Sequence, residues 1–291
     1  MKVAVIGPGA MGCLCAARLA RSGVGVLLVD HDAERAARLR ETGIALEDSE
    51  GTFAARPAVA LAAPPDANLI IVLTKAYSTA DVVFPPAVPV LTLQNGLGNV
   101  ETIAEHIGAD RVLAGATCEG ATLLGEGRVR HRGAGPTEIG SWTRCPADLA
   151  VHALQQAGFQ VELTDNPSKT IWEKAVINAG INPVTALLDV PNGKLLEIPE
   201  ARQLMRDLVE EACLAAQAEG HRFESPLVQR VEEVCENTSA NLSSMLQDVR
   251  AGRRTEIDAI SGAILRRARA AAIELPCTQI VWHLVKSLEQ R

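Results

Sequence analysis

The sequence predicts an N-terminal α/β doubly wound domain over residues 1–166 and an all-α helical domain over 167–291. Three observations carry that reading. Short apolar runs alternate with helical stretches through the first 165 residues, as strands and crossover helices do. A glycine-rich turn joins the first run to the first helix. From about residue 167 the apolar period becomes helical almost to the end.

The elements follow in order. VAVIG (3–7) is a strand, and AMGCLCAARLARSG is a helix ending at Gly23. VGVLLVD (24–30) is a second strand, and AERAARLRETG a second helix. NLIIVLTK (68–75) and PVLTLQNG (89–96) are further buried strands. Residues 112–140 lack helical period and are punctuated by glycines, so they read as antiparallel strands. TDNPSK (164–169) supplies both a turn and a helix cap at the domain boundary. ARQLMRDLVEEACLAAQAEG (201–220) is a long amphipathic helix stopped by Gly220, and another closes the chain.

Composition narrows the function classes. At 291 residues the chain is long enough for two cores, and 47% hydrophobic with 22% charged residues is a globular balance. A net charge of −7 gives no basic footprint for nucleic acid and no attraction to an anionic membrane. The apolar runs are strand-length, and the N-terminus enters a glycine loop after four apolar residues, which places the protein in the cytoplasm as an expectation. Seven scattered cysteines without a C-x-x-C argue against a metal site and against a disulfide framework. The apolar content of the long helices permits a homodimer.

VAVIGPGAMG sets Gly7, Gly9 and Gly12 in a G-x-G-x-x-G spacing between a strand and a helix. The first glycine makes the turn, the second admits a pyrophosphate, and the third lets helix and strand approach. The expectation is a Rossmann dinucleotide site. Asp30 ends the second strand, 18 residues past Gly12, where a carboxylate accepts from the adenine ribose 2′-OH and repels a 2′-phosphate. That tilts the cofactor toward NADH. Alternatively, Asp30 only caps the next helix with Asp32, leaving Arg35 or Arg38 to serve a phosphate.

Ligands of such folds lie beyond the carboxyl ends of the strands. Lys75 and Asn95 end strands there, although an exposed lysine and a turn asparagine are plain alternatives. Lys174, Asn178 and Asn182 recur every four residues, so one helical stripe carries all three. Asparagine is a poor helix-interior residue, so the row reads as a ligand-facing stripe or as a solvated face. Because Pro183 follows it, Asn182 could also mark a helix end. Asn241, Ser244 and Asp248 fall at helical spacing, with Glu256 and Asp258 beyond a basic loop.

Six motifs together resemble the ketopantoate reductases, or 2-dehydropantoate 2-reductases. They are GPGAMG, LQNGLGN (93–99), WEKAVINAGINPVTAL (172–187), VPNGKLL (190–196), NLSSMLQD (241–248) and RTEIDAISG (254–262). They occur in the family's order over nearly the whole chain. The resemblance implies a Rossmann domain with a helical domain, and reduction of a small 2-keto acid by NAD(P)H. It makes Lys174 the general acid and Glu256 an acidic residue tied to catalysis and to the cofactor ribose. Asn95 would touch nicotinamide and substrate, and Asn178, Asn182 and Asn192 would bind substrate. Ser244, with Asn241 beside it, would hold the substrate carboxylate. Gly7, Pro8, Gly9, Ala10, Met11 and Gly12 would form the phosphate loop, with Lys75 and Ala121 also contacting the cofactor. NADPH is the family's usual reductant, and Asp30 is the main departure from its pattern.

The implied reaction takes 2-dehydropantoate to (R)-pantoate, a precursor of pantothenate and coenzyme A. An alternative within the family is an NADH-dependent D-2-hydroxyacid dehydrogenase acting on branched 2-keto acids. A dinucleotide sensor without turnover is the non-enzymatic alternative, and it leaves the Lys174, Asn178, Asn182, Ser244 and Glu256 set without a purpose. The 3-hydroxyacid dehydrogenases share the architecture but not NLSSMLQD with RTEID.

Overall fold

A computed structural model describes residues 1–290. The chain divides into two compact units, one of residues 1–94 and 99–170 and one of residues 95–98 and 171–291.

The first unit is built on strands β1 (Lys2–Ile6), β2 (Gly25–Val29), β3 (Ile44–Asp48), β4 (Gly51–Ala55), β5 (Ala58–Ala60), β6 (Leu69–Val72) and β7 (Val90–Thr92). It continues with β8 (Val112–Thr117), β9 (Gly120–Gly125), β10 (Arg128–Gly133), β11 (Thr137–Ser141) and β12 (Val161–Leu163). Helices α1 (Ala10–Arg21), α2 (Ala33–Thr42), α3 (Asn99–Ile107) and α4 (Asp148–Gln156) cover it.

Eight strands form one sheet in the order β12-β11-β8-β7-β6-β1-β2-β5. The pairs from β5 through β8 are parallel, as the near-continuous apolar runs of β1 and β6 require of strands buried on both faces. The order runs outward from β1 in both directions, so a switch point lies beside its carboxyl end. The antiparallel reading of residues 112–140 holds for β8 with β11 and for β9 with β10, but β8 also pairs parallel with β7. A second sheet, β4-β3-β10-β9, was not part of the expectation. Leu14 and Leu19 of α1 are fully buried with Leu28, Ile71 and Leu91, so one apolar core seats the helix that follows the glycine loop.

Helix α5 (Pro167–Leu188) contributes Ile171 onward to the second unit. Its start is capped by Asn166, whose side-chain oxygen accepts from Lys169 N at 3.0 Å. Then follow α6 (Lys194–Glu197), α7 (Pro199–Ala218), α8 (Leu227–Asn237), α9 (Ser244–Arg250), α10 (Ser261–Ala270) and α11 (Pro276–Leu288). Trp172, Val176, Met205, Leu208, Val231, Ile264 and Val281 form its core. Among the described residues, no helix is long and apolar enough to cross a membrane.

Candidate active site

The glycine loop leaves β1 at Gly7, whose φ of +102° suits glycine. A Cβ there would stand 2.7 Å from Thr74 N, so the loop lies directly against the end of β6 and the residue before Lys75. A Cβ on Gly12 would run into the Gly7 carbonyl oxygen, which is the close helix–strand approach that spacing predicted. Gly9 is different: it is exposed, and nothing lies within 4 Å of where its Cβ would be. No side chain caps α1 and no acid sits in its first turn. The first-turn N–H groups of Ala10, Met11 and Gly12, with Pro8 beside them, therefore form an electropositive cradle with open space above it. These residues fit a dinucleotide pyrophosphate.

The expected ribose acceptor is turned inward. The Asp30 side chain has no exposed surface, and Arg35 Nε and Nη2 donate to Oδ2 and Oδ1 at 2.5 and 2.6 Å. Oδ1 also accepts the Asp32 N–H at 3.1 Å, while Asp32 caps α2 by accepting from Arg35 N. Asp32 is thus the cap of α2, while Asp30 binds Arg35 and the Asp32 N–H ahead of the helix. Arg35, one-third exposed, and the more exposed His31 face solvent at this corner. The bonds of Arg35 to Asp30 hold its guanidinium pKa up. Ala121 lies on β9 opposite His131 and packs against the core beneath α1.

A buried amide network fixes the ends of β6 and β7. Gln94 Nε2 donates to Thr74 O, Thr74 Oγ1 and Thr79 Oγ1 at 3.0, 3.0 and 2.8 Å. Thr92 Oγ1 donates to Gln94 Oε1, and Thr79 Oγ1 donates to Asn99 Oδ1. Half-buried Lys75 sits on the loop this network pins. Sequence reasoning passed over Gln94, although a polar residue closing an apolar strand is a readable signal.

In the helical unit, α5 runs unbroken through Pro183, so Asn182 does not mark a helix end. Lys174 and Asn178 remain partly exposed, whereas Asn182 is 6% exposed. The buried Thr185 hydroxyl donates to Ser243 Oγ at 2.7 Å, and Ser243 caps α9 through Leu246 N. That bond ties the α5 stripe to the turn presenting exposed Ser244. The Pro191–Gly193 turn docks beside it: Asn192 N donates to Asn241 O at 3.0 Å, and Asn192 Nδ2 to Thr238 Oγ1 at 2.9 Å. Asn192 Oδ1 is buried with no protein donor.

The segments that carry Asn95 and Glu256 also meet. Leu97 N donates to Ala259 O at 2.8 Å, and a Cβ on Gly96 would stand 2.5 Å from that oxygen. The turn carrying Asn95 therefore rests on the segment carrying Glu256, which is 6% exposed. Nothing local in the sequence announces this seat, because its partners are more than 160 residues apart.

Comparisons with known proteins find relatives across the whole chain. The family model described as "Ketopantoate reductase PanE/ApbA" matches residues 3–144, and its C-terminal counterpart matches residues 166–289. A 2-dehydropantoate 2-reductase of Halobacterium salinarum is 39% identical, covering 100% of this chain and 99% of its own. One from Archaeoglobus fulgidus is 32% identical, covering 99% and 98%. Among solved structures, a ketopantoate reductase from Ralstonia eutropha superposes with a TM-score of 0.89 at 29% identity, over 100% and 99% of the two chains. A D-mandelate dehydrogenase, solved with NADH and anilino(oxo)acetate, superposes at 0.91 with 28% identity over the same shares.

Proposed function

The chain belongs to the ketopantoate reductase family, and on that premise we propose that it reduces 2-dehydropantoate to (R)-pantoate with NADPH. The observation that carries the reading is the α5 stripe. Lys174 and Asn178 stay partly exposed on a helix whose neighbouring Trp172, Ala175, Val176 and Ala179 are buried.

A reduced nicotinamide, when bound, would supply hydride for the C2 ketone. Negative charge then grows on the ketone oxygen, and the Lys174 ammonium polarises that oxygen and delivers the proton. Glu256 is assigned to orient the ammonium. Asn178 and Asn182, one and two turns along, grip the substrate's polar groups. Asn192 offers a buried amide oxygen to a substrate hydroxyl, since leaving such an acceptor bare costs about 1–3 kcal/mol. Ser244, with Asn241 nearby, takes the carboxylate. The Gly7–Gly12 loop would hold the pyrophosphate, and Lys75, Asn95 and Ala121 would serve the cofactor.

NADPH is preferred to NADH because Asp30 has no solvent-facing oxygen for a ribose hydroxyl, whereas Arg35 has an uncommitted Nη1 for a phosphate. A second reading, a D-2-hydroxyacid dehydrogenase using NADH, is favoured by the likeness to D-mandelate dehydrogenase. A panel of 2-keto acids assayed with both cofactors separates the two. The proposal requires kcat/KM to be highest for 2-dehydropantoate with NADPH. A higher value for another branched or aromatic 2-keto acid would replace it with the second reading.

A further inference from the structure

The segment that carries Glu256 is fastened on both sides by the last turns of α11. On one side, Glu289 Oε1 accepts from Thr255 N at 2.8 Å and from Thr255 Oγ1 at 2.7 Å. On the other, Trp282 Nε1 donates to Asp258 Oδ1 at 2.9 Å, and Lys286 Nζ donates to Oδ2 at 2.9 Å. Lys286 also reaches Glu289 Oε2 at 2.7 Å, so one ammonium links the two fastenings. Burial pushes the Glu289 carboxyl upward, but its bonds to Lys286 and Thr255 outweigh that and hold its pKa below the usual glutamate range. Inside the clamp, Thr255 Oγ1 accepts from Ile257 N, and the Glu256 carbonyl accepts from Ala259 N and Ile260 N. The backbone on either side of Glu256 is therefore fixed, and Thr255 and Ile257 are buried.

We propose that Glu289 is a positioning residue for Glu256, acting through Thr255. It rests on the reading of Glu256 as catalytic. Glu289, just past the end of α11 and 33 positions beyond Glu256, takes both donors of Thr255 and so holds the backbone next to Glu256 in register.

The test is a double-mutant cycle on kcat, read beside thermal midpoints. Glu289→Ala lowers kcat about tenfold, the scale of a small misplacement of a reacting group, and also lowers the midpoint, because the buried Thr255 N–H loses its acceptor. Glu289→Gln, which keeps an acceptor for Thr255, recovers most of that loss. In a Glu256→Gln background, Glu289→Ala causes no further loss. An unchanged kcat in Glu289→Ala, or a tenfold loss that persists in the Glu256→Gln background, overturns the proposal. Wild-type kcat in Glu256→Gln alone removes the catalytic reading of Glu256 and the inference with it. Should Glu289→Ala fail to fold, Thr255→Val removes the hydroxyl from the same contact and must show the same loss and the same dependence on Glu256.

Discussion

Arg35 closes over Asp30 with two parallel hydrogen bonds, Nε to Oδ2 at 2.5 Å and Nη2 to Oδ1 at 2.6 Å. The pair puts a cation where a ribose-reading carboxylate was expected. Arg35→Gln should lower kcat/KM for NADPH about tenfold or more, because a charge-assisted bond to phosphate is lost, and change NADH turnover much less. Steady-state kinetics with both cofactors checks this. An unchanged ratio of the two would remove Arg35 from phosphate recognition.

Lys174 carries the proton in the proposed chemistry. Lys174→Ala should lower kcat by about 10²–10⁴-fold, the usual worth of a positioned acid. Cofactor affinity, followed by fluorescence titration of the reduced nicotinamide, should stay close to wild type. A kcat within threefold of wild type would sink the assignment.

Gly96 combines a φ of +84° with an approach of 2.5 Å between its missing Cβ and Ala259 O. Gly96→Ala meets both a backbone penalty and a clash with main chain that cannot swing away. The expected loss is about 2 kcal/mol or more of stability, together with reduced activity from a displaced Asn95. Urea unfolding and kcat measured on the folded fraction separate the two effects.

Glu232 lies between Arg202 and Arg206, whose guanidinium groups donate to its oxygens at 2.7–2.8 Å. The two arginines hold its carboxyl at about 2, against an ordinary value of 4.5. A depressed carboxylate stabilises the fold fully above the unfolded value and loses that contribution as pH falls toward the folded one. Wild type should therefore exceed Glu232→Gln by about 1 kcal/mol at pH 7, a small figure because both arginines are partly solvated. The gap should narrow below about pH 4.5 in urea melts. A gap that widens on acidification would contradict the ion-pair account.

The parallel core was readable from residues because β1, β2, β6 and β7 are short apolar runs bounded by turn formers. The second sheet was not. Its β3 pairs with β10, more than 80 positions away, and the charged RVRHR run carries no signal that names its partner. Within α5 the asparagine–proline step suggested a stop, yet the helix continues to Leu188 inside an apolar core, where tertiary burial overrides a local preference. Asp30 shows the limit most plainly. Position in sequence located it at the strand end, but only coordinates reveal that a helix residue five positions later occupies both of its oxygens.

The four residues Asn95–Gly98 cluster with the helical unit although Gln94 and Asn99 on either side belong to the other. The covalent chain thus passes from one unit to the other more than once. A chimera of two relatives joined at a single junction near residue 170 would set one parent's Leu97 against the other parent's Ala259. Exchange of either unit as a cassette must carry this tetrapeptide with the helices.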